Sequence, residues 1–280
     1  MKEIEKKLSG EEIPVSTHAP PQSVIVMREV GKSFGVGPAA VEKVDMNIRE
    51  GELVSFVGPS GCGKSTLFRL IAGLSQQSEG AIEIIGEDPG LARKRNAISY
   101  VFQDATLLPW SNVWDNITLP LKLRHVSKQV QKVEAERVLE LVGLQDYAKA
   151  LPRQLSGGMK MRVSIARALI SHPKLLLMDE PFGALDEITR QSLQNELLEI
   201  WRKSPGMTIL FVTHNVFEAV FLSTRIAVMT PRPGRISRWV DVPVDYPRDE
   251  RFRTTSDFGR YIDSVSSALH HGNQAKGGLG

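Results

Sequence analysis

Gly58-Pro59-Ser60-Gly61-Cys62-Gly63-Lys64-Ser65-Thr66 is the stretch whose reading decides the fold. It fits G-x-x-x-x-G-K-[ST], the phosphate-loop pattern. Glycines let successive backbone N–H groups curl around phosphate oxygens without Cβ clashes. A helix that follows such a loop points the positive end of its dipole at the same anion. The flanks suit this. Leu53-Val54-Ser55-Phe56-Val57 reads as a buried strand leading in, and Thr66-Leu67-Phe68-Arg69-Leu70-Ile71-Ala72 as a helix leading out, with Gly73 as its stop. The pattern predicts a nucleoside triphosphate cradled by Gly58 to Thr66, with Lys64 on the β- and γ-phosphates and the Ser65 hydroxyl facing Mg²⁺.

The rest of the chain bounds the setting. At 280 residues and a formal net charge of +3, it is long enough for a sizeable core and too weakly basic to argue for nucleic acid. Cys62 is the single cysteine, which excludes an intramolecular disulfide and suits a reducing compartment. Its thiol, lying within the phosphate loop, is expected to report on nucleotide through alkylation. No apolar run approaches the ~18 residues of a membrane-spanning helix. Residues 1–22 carry interleaved Lys and Glu and the pair Pro20-Pro21; they read as a flexible extension or a partner-binding arm. Residues 272–280 read as a disordered tail.

Between these ends the pattern is α/β. Strand-like runs at Ser23–Met27, Val41–Ile48, Leu53–Val57, Ala81–Ile85 and Ile98–Phe102 give way to a helical insert over about 104–155, with helices at Asn112–Leu123 and Val130–Val142 and a stop at Gly143. Helix Gly157–Ile170, strand Leu175–Met178, helix Glu187–Trp201, strand Thr208–Val212, helix Val216–Leu222 and strand Arg225–Met229 then alternate. Such alternation predicts a mainly parallel sheet covered on both faces. The nucleotide-binding domain is placed at 23–241 and a helical extension at 242–271. Phe258, Tyr261, Ile262, Val265 and Leu269 form one face of that extension, which predicts docking on the core.

Leu175-Leu176-Leu177-Met178-Asp179-Glu180 has the form of a strand ending in two carboxylates. Asp179 is read as the second holder of Mg²⁺ and Glu180 as the group that polarises the attacking water.

Leu155-Ser156-Gly157-Gly158-Met159, running into a helix, resembles the LSGGQ signature of the ABC ATPases. The other motifs of that family follow in its order. Gln103 matches the Q-loop, Ala184-Leu185-Asp186 the D-loop, and Val212-Thr213-His214 the switch histidine. Phe34 stands where the family stacks an aromatic on adenine. Met159 and Met161 replace glutamines of the usual signature, and neither change removes a phosphate-contacting group.

The resemblance implies a P-loop NTPase core with an N-terminal antiparallel β subdomain. It implies ATP and Mg²⁺, with Ser65, Gln103 and Asp179 at the metal. It also implies a head-to-tail homodimer in which Ser156, Gly157 and Gly158 of one chain close on the P-loop of the other. Glu180, His214, Gln103 and Lys64 would carry the hydrolysis, and Asp186 would link the two sites.

Phe102-Gln103-Asp104 through Trp110 and Trp114 to Ile117, with Pro231-Arg232-Pro233-Gly234-Arg235-Ile236, resembles the ATPases of nitrate, sulfonate and taurine importers. That resemblance implies a bacterial importer with separate transmembrane permease chains and, indirectly, a periplasmic or extracellular solute-binding protein. The ATPase would then sit peripherally on the cytoplasmic face of the inner membrane, with no nucleic-acid partner. Trp110 is expected to anchor a permease groove, and Trp114 either that groove or the helical core. A soluble ABC ATPase acting on nucleic acid or ribosomes is the alternative.

Overall fold

A computed structural model describes residues 22–35 and 37–274. The extension expected over 1–22 therefore lies, except for Gln22, outside the described residues, as do 275–280. In chain order the elements are β1 (Ser23–Lys32), β2 (Val41–Arg49), β3 (Leu53–Val57), α1 (Lys64–Ile71), β4 (Glu79–Ile84), α2 (Pro89–Lys94) and β5 (Ile98–Val101). Then come α3 (Val113–Leu123), α4 (Lys128–Leu141), α5 (Gly157–Leu169), β6 (Leu175–Asp179), α6 (Glu187–Arg202), β7 (Thr208–Thr213) and α7 (Val216–Leu222). The chain closes with β8 (Arg225–Met229), β9 (Ile236–Asp241) and α8 (Ser256–Gln274).

Two sheets form. A three-stranded antiparallel sheet runs β2-β1-β4, and a six-stranded sheet runs β5-β6-β7-β3-β8-β9, parallel except where β9 turns back along β8. The central strands β3 and β7 are buried at every position, as strands covered on both faces must be. Their residues alternate between two cores with the period of a strand. Leu53, Val57, Leu176, Met178, Ile209 and Phe211 face the helical side. Val54, Phe56, Leu175, Leu177, Leu210 and Val212 face α1 and the antiparallel sheet.

The helical block between β5 and α5 starts cleanly. Asn112 accepts from the Asp115 N–H at 2.7 Å to cap α3, Ser127 caps α4, and Gly143 adopts a left-handed φ of 65° just past the end of α4. Trp114 packs partly buried against this core, as one of its two readings expects, whereas Trp110 is 75% exposed.

Strand β1 extends beyond the expected Met27 to Lys32 through register shifts on either side of Val30, which break the alternation a reader follows. Helix α8 lays Phe258 and Val265 into the core and reaches Gln274, past the Gly272 at which the tail reading began.

One side chain, Arg248, adds a dense set of bonds to the packing that holds the C-terminal extension. Arg248, 5% exposed, donates from Nη1 to the carbonyls of Val220, Phe221 and Ser223 and from Nη2 to those of Val242 and Val244, all at 2.9–3.0 Å. Val220 and Phe221 belong to the last turn of α7, whose carbonyls lack intrahelical donors and carry the negative end of the dipole. The guanidinium also lies 4.2 Å from the Tyr246 ring centroid.

Candidate functional site

Strand register assembles the site. Val57 lies opposite Thr213, Asp179 opposite Val212, and Val101 opposite Met178. The carboxyl ends of β5, β6, β7 and β3 are therefore side by side, and the loops leaving them bring Gln103, Glu180, His214 and the loop 58–66 to one rim. Crevices outside the carboxyl ends of parallel strands are where α/β sheets bind ligands.

The loop 58–66 is shaped for an anion. Gly61 and Gly63 have φ of 73° and 105°, and a Cβ on Gly63 would collide with the Ala40 carbonyl. Helix α1 has no side-chain cap, so its first N–H groups are left to a ligand. Lys64 is 6% exposed, and its ammonium donates to the Gly58 carbonyl at 2.8 Å and the Pro59 carbonyl at 3.1 Å. A cavity of about 300 Å³ opens on this loop, lined by Phe34, Ser60, Gly61, Thr66, Glu180 and Arg232 among others. Phe34 is exposed, with the Lys32 ammonium 5.0 Å from its ring centroid. The turn before β9 backs the loop. Gly234 donates to the Ala40 carbonyl at 3.1 Å, and a Cβ there would collide with the Cys62 carbonyl.

Cys62 corrects the sequence reading. Its backbone belongs to the loop, but its side chain is 1% exposed, with the sulfur 2.9 Å from where a Gly58 Cβ would sit. Burial pushes the thiol pKa up, with the Lys64 charge opposing. A buried, protonated thiol is a poor nucleophile, so it is not the ready reporter its place in the motif suggested.

At the tip of β6, Asp179 takes two hydroxyls. Ser65 Oγ donates to Oδ1 at 3.1 Å, and the Tyr100 hydroxyl donates to Oδ2 at 2.9 Å. Burial and the adjacent Asp179 charge hold the Tyr100 pKa far above its ordinary value, so it stays a donor. A hydroxyl and a carboxylate in contact beside a phosphate cradle fit Mg²⁺, which prefers oxygen, keeps several waters and takes few protein ligands.

Glu180 follows with a left-handed φ of 49°, strain that a non-glycine residue carries only where its surroundings impose it. The Glu180 N–H donates to the Val212 carbonyl at 3.1 Å, and His214 Nδ1 lies 3.4 Å from Glu180 Oε2. Gln103 is exposed, its amide nitrogen 3.9 Å from where a Gly183 Cβ would sit.

Ser156 caps α5, its hydroxyl accepting the Met159 N–H at 3.2 Å. Asp186 caps α6 in the same way, accepting the Thr189 N–H at 3.0 Å, and that bond holds its carboxyl below the usual range. The two helix starts interlock. A Cβ on Gly158 would sit 2.5 Å from the Thr189 methyl, and one on Gly157 would sit 3.5 Å from Leu185. Ser156, Gly157 and Gly158 do not line the loop cavity of their own chain.

Two arginines that the sequence did not single out brace these loops. Arg167 on α5 donates to the carbonyls of Ala105 and Thr106 at 2.9 and 3.0 Å, tying that helix to the segment after Gln103. Arg190 donates to the Leu185 carbonyl at 2.9 Å, holding the turn that carries Asp186. Nothing in the local sequence of an arginine says which distant carbonyl it will meet.

Comparison with known proteins gives a consistent result. The family model for ABC transporters matches residues 41–183. The chain is 46% identical over 249 residues to the taurine import ATP-binding protein of Rhizobium johnstonii, covering 85% of this chain and 91% of that one. It is 43% identical over 251 residues to the nitrate import ATP-binding protein of Synechocystis, covering 86% and 91%. It is 44% identical over 221 residues to the aliphatic sulfonates import ATP-binding protein of Bacillus subtilis, covering 78% and 82%. Among solved structures, a dimeric ATP-binding cassette bound to ADP and Pi superposes with a TM-score of 0.69 at 32% identity, over 79% of this chain and all of that one.

Proposed function

The chain belongs to the ABC transporter ATPases, and from that membership we propose that it binds and hydrolyses ATP as a head-to-tail dimer to power an importer. The cargo we assign is a small oxyanion or sulfonate of the nitrate, sulfonate and taurine class. The observation that carries the dimer is that the loop cavity lacks the Ser156-Gly157-Gly158 segment of the same chain. A second chain, turned head to tail, supplies it. The superposed cassette bound to ADP and Pi is itself dimeric.

In this reading Phe34 stacks on adenine, the backbone of Gly58 to Thr66 and the Lys64 ammonium hold the phosphates, and the partner's signature segment closes from above. Ser65, Asp179 and Gln103 would hold Mg²⁺, which supplies charge neutralisation on the phosphate oxygens. Glu180 accepts a proton from the attacking water, and His214 keeps Glu180 and the terminal phosphate in line. Asp186, fixed at its helix start, relays closure between the two sites.

Mixing tests the dimer. Lys64→Ala disables the phosphate loop, while Gly157→Asp puts a negative charge at the anion-facing helix start, where only an ordinary contact with Leu185 awaits its Cβ. Each variant alone has both composite sites spoiled; a mixed dimer has one intact site. Restored ATP-dependent association and hydrolysis on mixing is the expected result, and two folded variants that stay inert together would overturn the arrangement.

The importer reading places the protein at the cytoplasmic side of a membrane through separate permease chains. No described helix is long and apolar enough to cross a membrane. Capture of the ATP-loaded Glu180→Gln chain from solubilised membranes is expected to recover a polytopic membrane protein. Recovery of ribosomes or nucleic acid instead would favour the soluble alternative.

A further inference from the structure

A buried polar chain runs from the C-terminal extension to the back of the His214 turn. Arg253, in the short turn Phe252–Thr254, donates to Gln194 Oε1 at 2.7 Å, and Gln194 Nε2 donates to Glu218 Oε1 at 2.9 Å. Gln194 and Glu218 are 2% and 5% exposed, on α6 and α7. The Arg253 guanidinium is seated 3.6 Å from the Phe221 ring centroid and 3.2 Å from Glu250. At the other end, the Glu218 carboxyl, whose pKa burial pushes up, shares a small recess with Thr213, whose side chain favours its charged form. Thr213 Oγ1 in turn accepts the Asn215 N–H at 2.9 Å, so His214 stands between two residues tied to this network.

Burying a carboxylate costs several kcal/mol unless its partners compensate. Glu218 is not needed to start α7, because Asn215 already accepts the N–H groups of Phe217 and Glu218. It does not line the loop cavity. It borders instead a recess of about 20 Å³ shared with Glu180, Phe182, Arg190, Thr213, His214 and Asn215, large enough for one water.

We propose that Glu218 is a positioning residue that fixes the Thr213–His214 turn relative to Glu180, and that Gln194 and Arg253 extend this constraint to the C-terminal extension. The extension thereby sets the rate of hydrolysis without touching ATP. This rests on the hydrolytic roles given above to Glu180 and His214.

Steady-state kinetics on the full chain, with nucleotide affinity and melting temperature measured alongside, test it. Glu218→Ala should lower kcat about tenfold with KM for ATP within about twofold, since misplacing a group by a fraction of an ångström acts on the transition state. Glu218→Gln, which keeps an acceptor for Gln194 and Thr213, should recover most of the rate. Arg253→Met should fall severalfold and Arg253→Lys less. The Glu218→Ala/Arg253→Met double variant should lose little more than Glu218→Ala alone. Unchanged kcat, losses in step with the unfolded fraction, or multiplicative effects would overturn the proposal. If Glu218→Ala does not fold, the Arg253 pair decides by the same criteria. His214→Ala is the control: if it turns over normally, the hydrolytic reading itself has failed, whereas a slow His214→Ala beside a normal Glu218→Ala rejects only the positioning role.

Discussion

Glu180→Gln will bind ATP and hold the dimer closed while its turnover falls by about 10²–10³. The amide keeps the size and shape of the carboxylate. It also keeps a backbone already committed to φ of 49° and bonded to the Val212 carbonyl at 3.1 Å, so the loop has no cause to rearrange. What it loses is the negative charge and, in the proposed mechanism, the acceptor for the proton of the attacking water. The ammonium of Lys64 and the cradle of loop amides are untouched, which is why affinity should persist. Nucleotide binding, size-exclusion chromatography with ATP and phosphate release separate these effects. Turnover near that of the unmodified chain would remove Glu180 from the chemistry and direct attention to His214 or Gln103 as the water's partner.

Arg248→Met will lower stability by roughly 3–5 kcal/mol, about 10 °C in melting temperature for a chain of this size. Methionine fills much of the same volume, so the loss isolates the donors. Five carbonyls then lose these donors, the Val242 carbonyl alone among them keeping the Val244 N–H at 2.8 Å, and two lie in the last turn of α7 where the dipole already concentrates negative charge. Arg248→Lys should recover part of the loss, because a single ammonium has three donors on a flexible stem and cannot span carbonyls on three sides. Thermal and denaturant unfolding measure both. A melting temperature within a degree or two of the parent for Arg248→Met would mean that water reaches these carbonyls and that the extension is held by the apolar face of α8 alone.

The sequence was most legible where the candidate site is built from adjacent residues. The loop 58–66, the strand ending at Asp179, the His214 turn and the signature segment are each contiguous, and their local physics is printed in residue type and order. The parallel core was legible for the same reason, since β3, β6 and β7 are largely apolar runs, interrupted inside only by Ser55 in β3. Contacts between distant segments were not. Tyr100 reads as a strand residue, and only the pairing of β5 with β6 carries its hydroxyl to Asp179. Cys62 shows a subtler limit: the motif fixes the path of its backbone but not the side to which its thiol turns. Strand β9 went unread because its burial is irregular, as befits an edge strand with Ser237 and Arg238 exposed. The short helix α2, begun by Asp88 and Pro89, is too brief for periodicity to reveal.

The interlock of Gly158 with the Thr189 methyl has a consequence for how such a chain can diverge. Drift at one of these positions is conditional on the other. With threonine at 189, an alanine at 158 requires the Thr189 side chain to turn away or α5 to shift from α6. With serine at 189 the methyl is gone and that alanine has room. The two positions are thus coupled in evolution: a smaller residue at 189 opens room for alanine at 158, a link that neither position's own chemistry would suggest.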